Sequence, residues 1–156
     1  MTARMKKTRS VRLRAVTAAD RTLIEHWAET IDSSNFMTRF QPLPDQHLIW
    51  DIVQVDGQDA GVVWLECADT SCEARLGIML GIPTLLGCGI GTEAILLIME
   101  KAKAQASLQS IVLNVRASNT RAIACYQRCG FEIQTRYMRK HGEQAYAVLG
   151  MKKRLR

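Results

Sequence analysis

Hydrophobic residues recur along this chain at two periods, and the alternation between them predicts the elements. Residues 11–16 alternate apolar and polar, as in a half-buried strand. Leu23, Ile24, Trp27 and Ala28 follow at helical spacing, with Thr17 or Asp20 placed to cap that helix. Residues 32–46 are turn-rich and irregular. Two apolar runs, Leu48–Val55 and Ala60–Cys67, flank Asp56-Gly57 and predict a hairpin. Arg75–Leu80 predicts a further strand, with Pro83 at its end. From Glu93 to Ala106 the stripe Ile95, Ile98, Met99, Ala102 and Ala106 predicts a helix with one core-facing side. Ser110–Val115 predicts a strand and Thr120–Cys129 a short helix that Gly130 stops. Phe131–Arg136 and Gln144–Met151 predict two closing strands about His141-Gly142. The order β-α-(α)-β-β-β-α-β-α-β-β is an α/β arrangement on a mixed sheet.

Composition narrows this picture. At 156 residues the chain fits a single domain spanning 1–156, with basic tails expected at 1–10 and 152–156. No apolar run approaches the ~20 residues of a membrane span, and no apolar stretch follows the basic N-terminus as in a signal peptide. Five cysteines form an odd set without framework spacing, which points to a reducing, cytoplasmic setting with free thiols. Cys125 and Cys129 share a helical face, but the histidines are scattered, so no metal site is expected.

The net charge of +6 is unevenly placed. Residues 1–14 carry six bases and no acid, and residues 152–156 carry four bases. Residues 15–73 sum to −9 and residues 74–151 to +5. That split suits a polyanionic ligand on one side and a cationic one on the other, or is chance patchiness.

The chemistry centres on Leu85-Leu86-Gly87-Cys88-Gly89-Ile90-Gly91-Thr92-Glu93-Ala94. Three alternate glycines open a helix, where free N–H groups and the helix dipole favour an anion. No lysine follows, which excludes a P-loop. Thr92 stands where a dinucleotide fingerprint needs its third glycine. A plain glycine-rich turn remains the alternative.

A second segment, Ile111 to Phe131, parses as strand, Ser-Asn cap, helix and glycine stop. Together the two segments resemble the GNAT superfamily of acetyl-CoA-dependent N-acetyltransferases. Leu86-x-x-Gly89-x-Gly91 matches its phosphate loop, and Asn119, Ala122, Tyr126, Gly130 and Phe131 match its later helix. Residues 74 to 94 look most like the branch of ribosomal-protein N-terminal and spermidine acetyltransferases. The resemblance implies a mostly antiparallel sheet flanked by helices and splayed between strands 4 and 5. It implies acetyl-CoA as cosubstrate, held by main chain at Ile78, Met79 and Leu80, by Gly87, Cys88, Gly89, Ile90, Gly91 and Thr92, and by Asn119. A plain N-cap is the competing reading of Asn119.

Acetyl transfer to an amine needs a neutral nucleophile, a donor for the developing oxyanion and a proton for the leaving thiolate. By resemblance Tyr126 is the general acid; a core aromatic is the alternative. The branch often places a glutamate before Leu-Gly, where this chain has Arg75, so Glu73 is the nearest candidate base, with a water relay as the alternative. Leu86 is a second departure, where the family favours Gln or Arg. Acceptor contacts are expected from residues 25–45, namely Glu25, Glu29, Asp32 and Phe36, and the acceptor is expected to be a cationic amine or a protein N-terminus. A monomer or homodimer fits. A catalytically silent acyl-CoA binder, or a basic-tailed RNA or ribosome-associated protein, would be the alternatives; the terminal bases lack interleaved aromatics, which disfavours nucleic acid.

Overall fold

Every strand but one connection runs antiparallel in the sheet that organises this chain. The structure, a computed structural model, describes residues 9–30, 39–68, 72–87, 89–105 and 107–155. Seven strands are described: β1 (Val11–Ala15), β2 (His47–Val55), β3 (Gln58–Cys67), β4 (Glu73–Leu80), β5 (Ser110–Arg116), β6 (Glu132–His141) and β7 (Gln144–Arg154). They lie in the order β1-β2-β3-β4-β5-β7-β6, and only β4 and β5 are parallel. Three α-helices accompany them: α1 (Arg21–Thr30), α2 (Ile90–Lys103) and α3 (Thr120–Arg128). This is a single-domain α/β fold with a mixed sheet between helices.

The side chains of alternate strand positions feed two cores. On one face Val63, Leu65, Leu76, Ile111 and Leu113 pack under α2, whose Ala94, Ile95, Ile98, Met99 and Ala102 are all buried. Ile95 and Ile98 are fully buried, each contributing about 1.5–3 kcal/mol of apolar burial. Ala122, Ile123, Cys125 and Tyr126 of α3 join this cluster. On the other face Ile24 and Trp27 of α1 pack against Ile52, Val62, Trp64 and Met79. The helices thus lie on opposite faces, α2 and α3 against α1.

Local chemistry sets the ends. Asp56 and Gly57 both have positive φ, 51° and 82°, the left-handed pair that a tight β2–β3 hairpin requires. Gly130, at φ 94°, ends α3 as expected. α2 starts at Ile90, three residues before the expected start, because Gly89 takes the left-handed N-cap position. The helix ends at Lys103, and Ala106, Cys88, Asp32 and Phe36 lie outside the described residues, as do 1–8 and 156. The two closing strands are longer than expected. Lys152, Lys153 and Arg154 are not tail residues: they extend β7, paired with β5, where Ser110 faces Arg154. Ser10 is likewise held, its N–H donating to Asp56 at 2.9 Å.

The feature that positions a site is a parting of the sheet. β4 and β5 pair over only three positions, Glu73 with Ser110, Ala74 with Ile111 and Arg75 with Val112. Beyond them Leu76–Leu80 keeps β3 as its partner and Leu113–Arg116 keeps β7. The strands therefore open a wedge in the middle of the sheet, as expected between strands 4 and 5.

Candidate active site

Main-chain polarity along the wedge follows from the ladder. Gly81 donates to the Ala60 carbonyl at 2.8 Å, and the β3–β4 register is unbroken. Antiparallel pairs alternate, so Met79 bonds Val62 while Ile78 and Leu80 turn their N–H and C=O groups into the wedge. Met79, grouped with them from the sequence, has its main chain engaged with β3 and its side chain buried.

The start of α2 closes one end of the wedge. Gly87 and Gly89 both have positive φ, 78° and 80°, and are exposed; a Cβ on either would meet nothing within 4 Å. A Cβ on Gly91 would lie 3.5 Å from Cys125 Sγ and 3.9 Å from a Leu80 methyl. The helix N-terminus therefore lies between the open end of β4 and helix α3. The first N–H groups of a helix have no intrahelical partner, and no side chain caps this one at Gly89, the geometry an anionic group needs. Thr92 sits in the first turn with its hydroxyl 3.3 Å from Cys125 Sγ.

Helix α3 supplies the side chains beside this loop. Asn119 Oδ1 accepts from the Ala122 N–H at 3.3 Å and caps the helix, so its carbonyl is engaged while its amide NH2 stays available. Tyr126 is half-buried, and its ring meets Phe131 edge-on at 6.1 Å. Burial, reinforced by the neighbouring Cys125 and Cys129 thiols, pushes its phenol well above the ordinary value. It therefore stays protonated, with no hydrogen-bond partner for its hydroxyl among the described residues. Cys125 is held below the usual thiol range by the Cys129 thiol and then by the Thr92 hydroxyl, against the effect of burial. The bond to Cys125, and then burial, push Cys129 up. Cys67, Cys125 and Cys129 are free thiols. Among the described residues no cluster of three or more His, Cys, Asp or Glu could hold a metal ion, and no helix is long and apolar enough to cross a membrane.

On the α1 face a cavity of about 360 Å³ spans the wedge. β3 and β4 contribute Trp64, Glu66, Arg75 and Gly77; β5 and β7 contribute Asn114, Arg116 and Tyr146; Arg39 and Arg139 also line it. Glu66 is fully buried. Its Oε1 accepts from the Trp64 indole at 3.0 Å and pairs with Arg39 at 2.8 Å. Its Oε2 and the Nε of Arg75 are buried without partners among the described residues. Glu66 and Arg75 are cross-strand neighbours.

Glu73, expected as a base, does not line this cavity. It sits at the zipped end of β4, where Ser110 Oγ donates to its carboxylate at 3.3 Å and Lys152 lies 3.4 Å away. Five residues of strand separate it from Ile78, about 16 Å. Glu66 is the cavity's carboxylate, and sequence reasoning missed it. The signal was a carboxylate closing the apolar run Val62-Val63-Trp64-Leu65. Of the expected acceptor contacts, Glu25 lines a second cavity with Phe40 and Arg39, and Glu29 is exposed on α1.

Comparisons with known proteins agree with this geometry. The family model described as an acetyltransferase (GNAT) domain matches residues 10–132. No curated protein matches the chain by sequence. Among solved structures, a GNAT-family acetyltransferase from Streptococcus pneumoniae superposes with a TM-score of 0.75 at 20% identity, over 93% of this chain and 99% of that one. The aminoglycoside acetyltransferase AAC(6')-Ib in complex with coenzyme A gives 0.75 at 20% identity, over 93% and 95%. A chimera of spermidine N-acetyltransferase SpeG from Vibrio cholerae and hSSAT gives 0.74 at 18% identity, over 93% and 96%. At these identities the structural likeness speaks for the fold.

Proposed function

The chain belongs to the GNAT acetyltransferase family, and from that premise we propose that it transfers an acetyl group from acetyl-CoA to a primary amine. One observation carries the reading: the wedge between β4 and β5 opens beside a helix N-terminus preceded by two glycines, Gly87 and Gly89, at which even an added Cβ would meet nothing. Acetyl-CoA supplies the acetyl group already activated as a thioester. The chain's own residues supply the rest. The N–H groups from Gly87 to Thr92 hold phosphate oxygens, in keeping with the neighbour bound to coenzyme A. The wedge-facing main chain of Ile78 and Leu80 lines the arm and polarises the reacting carbonyl. Asn119 contributes its free amide NH2.

The amine enters from the α1 face, through the cavity at Glu66. As the C–N bond forms and the C–S bond breaks, Oε2 of Glu66 takes the proton leaving the amine. The Tyr126 hydroxyl gives a proton to the sulfur, and water restores both groups. Tyr126 stays protonated for this task because burial raises its pKa.

The cationic acceptor expected from the charge split draws less support from the cavity. Five of the eleven acids of residues 15–73 are ion-paired: Asp20 and Asp59 with Arg14, Asp51 with Lys101, Glu66 with Arg39 and Glu73 with Lys152. They do not form a free acidic wall.

The test is binding followed by turnover. Acetyl-CoA should raise the melting temperature where NAD and ATP do much less. Gly89→Asp should abolish the rise; its Cβ meets no neighbour, but a side chain at φ 80° is strained, so retained folding is checked by circular dichroism. A folded Gly89→Asp protein that binds acetyl-CoA normally would overturn the loop assignment. Thiol release on adding an amine panel then reads transfer itself.

A further inference from the structure

We propose that the acceptor is an amine carrying its own acidic group, such as an amino acid, with its nitrogen at Glu66 and its anion at Arg75. This rests on the acetyltransferase reading above and names the substrate class of the same site.

Charge is the first argument. Four arginines, Arg39, Arg75, Arg116 and Arg139, line a cavity whose single carboxylate among the described residues is Glu66. Arg39 is paired to that glutamate. Arg116 stacks over the Tyr146 ring at 4.0 Å, and Arg139 donates to the Tyr137 hydroxyl at 3.2 Å. Neither contact neutralises a charge. Arg75, Arg116 and Arg139 have no carboxylate partner among the described residues. A polyamine placed here would meet like charge, whereas a carboxylate would meet guanidinium donors that suit its geometry.

Satisfaction of polar atoms is the second. Buried polar atoms are normally hydrogen-bonded, and an exception calls for a partner. This cavity has two exceptions, Glu66 Oε2 and Arg75 Nε, one an acceptor and one a donor. They belong to directly opposed residues of β3 and β4. From the ladder phase set by Gly81 and Ala60 this is a hydrogen-bonded pair, with Cα atoms about 5.5 Å apart. A compact molecule with an ammonium and an acid on neighbouring atoms meets both together. A long polycation or a neutral amine meets at most one.

Position is the third. Arg75 is the last residue of β4 paired to β5, so it sits at the apex of the wedge, on the cavity's side of the sheet. An acid anchored there leaves its amine on Glu66, facing the wedge.

The experiment uses matched pairs. Initial rates of thiol release are measured for a set of amino acids and the corresponding amino acid amides, beside spermidine and an aminoglycoside. The expected result is a kcat/KM at least ten-fold higher for free acids than for their amides. Arg75→Gln should raise KM for the acids by ten-fold or more, leave the amides within about three-fold and keep the acetyl-CoA thermal shift. Arg75→Lys should restore part of the preference, and is the variant to use if the glutamine form does not fold. Amides equal to acids, or spermidine or the aminoglycoside as the best substrate, would overturn this proposal while leaving the acetyltransferase reading standing. No turnover of any amine together with no acetyl-CoA shift would overturn both.

Discussion

The indole nitrogen of Trp64 donates to Oε1 of Glu66 at 3.0 Å, which fixes the carboxylate, while its other oxygen is buried without a partner among the described residues. Glu66→Gln keeps that bond and the side chain's shape but removes the proton acceptor. We expect kcat to fall by about 10²- to 10⁴-fold, the usual span for general acid–base catalysis. The acetyl-CoA thermal shift should persist. Glu73→Gln, away from the cavity, should leave kcat within two- or three-fold. If the two variants behave alike in steady-state assays, Glu66 is not the base.

Tyr126→Phe removes a hydroxyl and leaves the ring against Phe131. Turnover should fall about 10- to 10⁴-fold with little change in acetyl-CoA binding. The pH profile carries a sharper statement. Burial raises this phenol above its ordinary value of about 10, so the donating form persists across pH 7–10. Loss of activity between pH 8 and 9.5 that disappears in Tyr126→Phe would contradict this assignment.

The elements legible from sequence are those whose signals are local. Asp56-Gly57 declares a tight turn through two residues that tolerate positive φ, and Asn119 with Gly130 brackets α3. The glycine loop and the Asn119-to-Phe131 run carried the family for the same reason. β6 was harder to bound because it is an edge strand exposed along nearly all its length, so no buried face imprints an apolar alternation. Lys152 and Lys153 read as tail because their charge hides that they continue β7 between β5 and β6. The cavity was the least legible part. Glu66 and Arg75 are nine residues apart, and only the β3–β4 register sets them opposite each other. Summed charge hides pairing for a related reason: the partners of Asp20, Asp51, Asp59 and Glu73 lie outside the segment over which charge was summed.

Arg14 joins three elements, donating to both oxygens of Asp20 at 2.8 and 2.9 Å and to Asp59 at 2.8 Å. The Arg14 guanidinium holds the Asp20 carboxylate far below its ordinary value, and a bond from the Thr17 N–H helps. A depressed carboxylate stabilises the fold above its unfolded pKa of about 3.9, and that contribution is lost as pH falls through the folded value. Asp20→Asn should therefore cost about 1–2 kcal/mol at pH 7, discounted because Arg14 is partly exposed. The gap in melting temperature between wild type and variant should shrink below pH 4. A gap that stays constant from pH 7 to pH 3 would mean the ion pair contributes nothing.

Gly77 links packing to chemistry. It lies on β4 opposite Trp64, and a Cβ there would run into the Trp64 ring. The indole cannot retreat easily, because it is buried against Ile24 and Trp27 in the smaller core. Overpacking of this kind costs about 1–3 kcal/mol. Gly77→Ala should thus lower the melting temperature, but its diagnostic effect is on turnover. Displacing the ring loosens the bond that orients Glu66, so kcat should fall in a variant that is still folded and still binds acetyl-CoA. Gly61→Ala makes the comparison: its Cβ would strike the Met79 carbonyl and crowd Leu80 rather than Trp64. It should destabilise the sheet without the fall in kcat that Gly77→Ala shares with Glu66→Gln. If both glycine variants lose stability equally and their kcat values stay equal, Trp64 is packing alone and does not position the carboxylate.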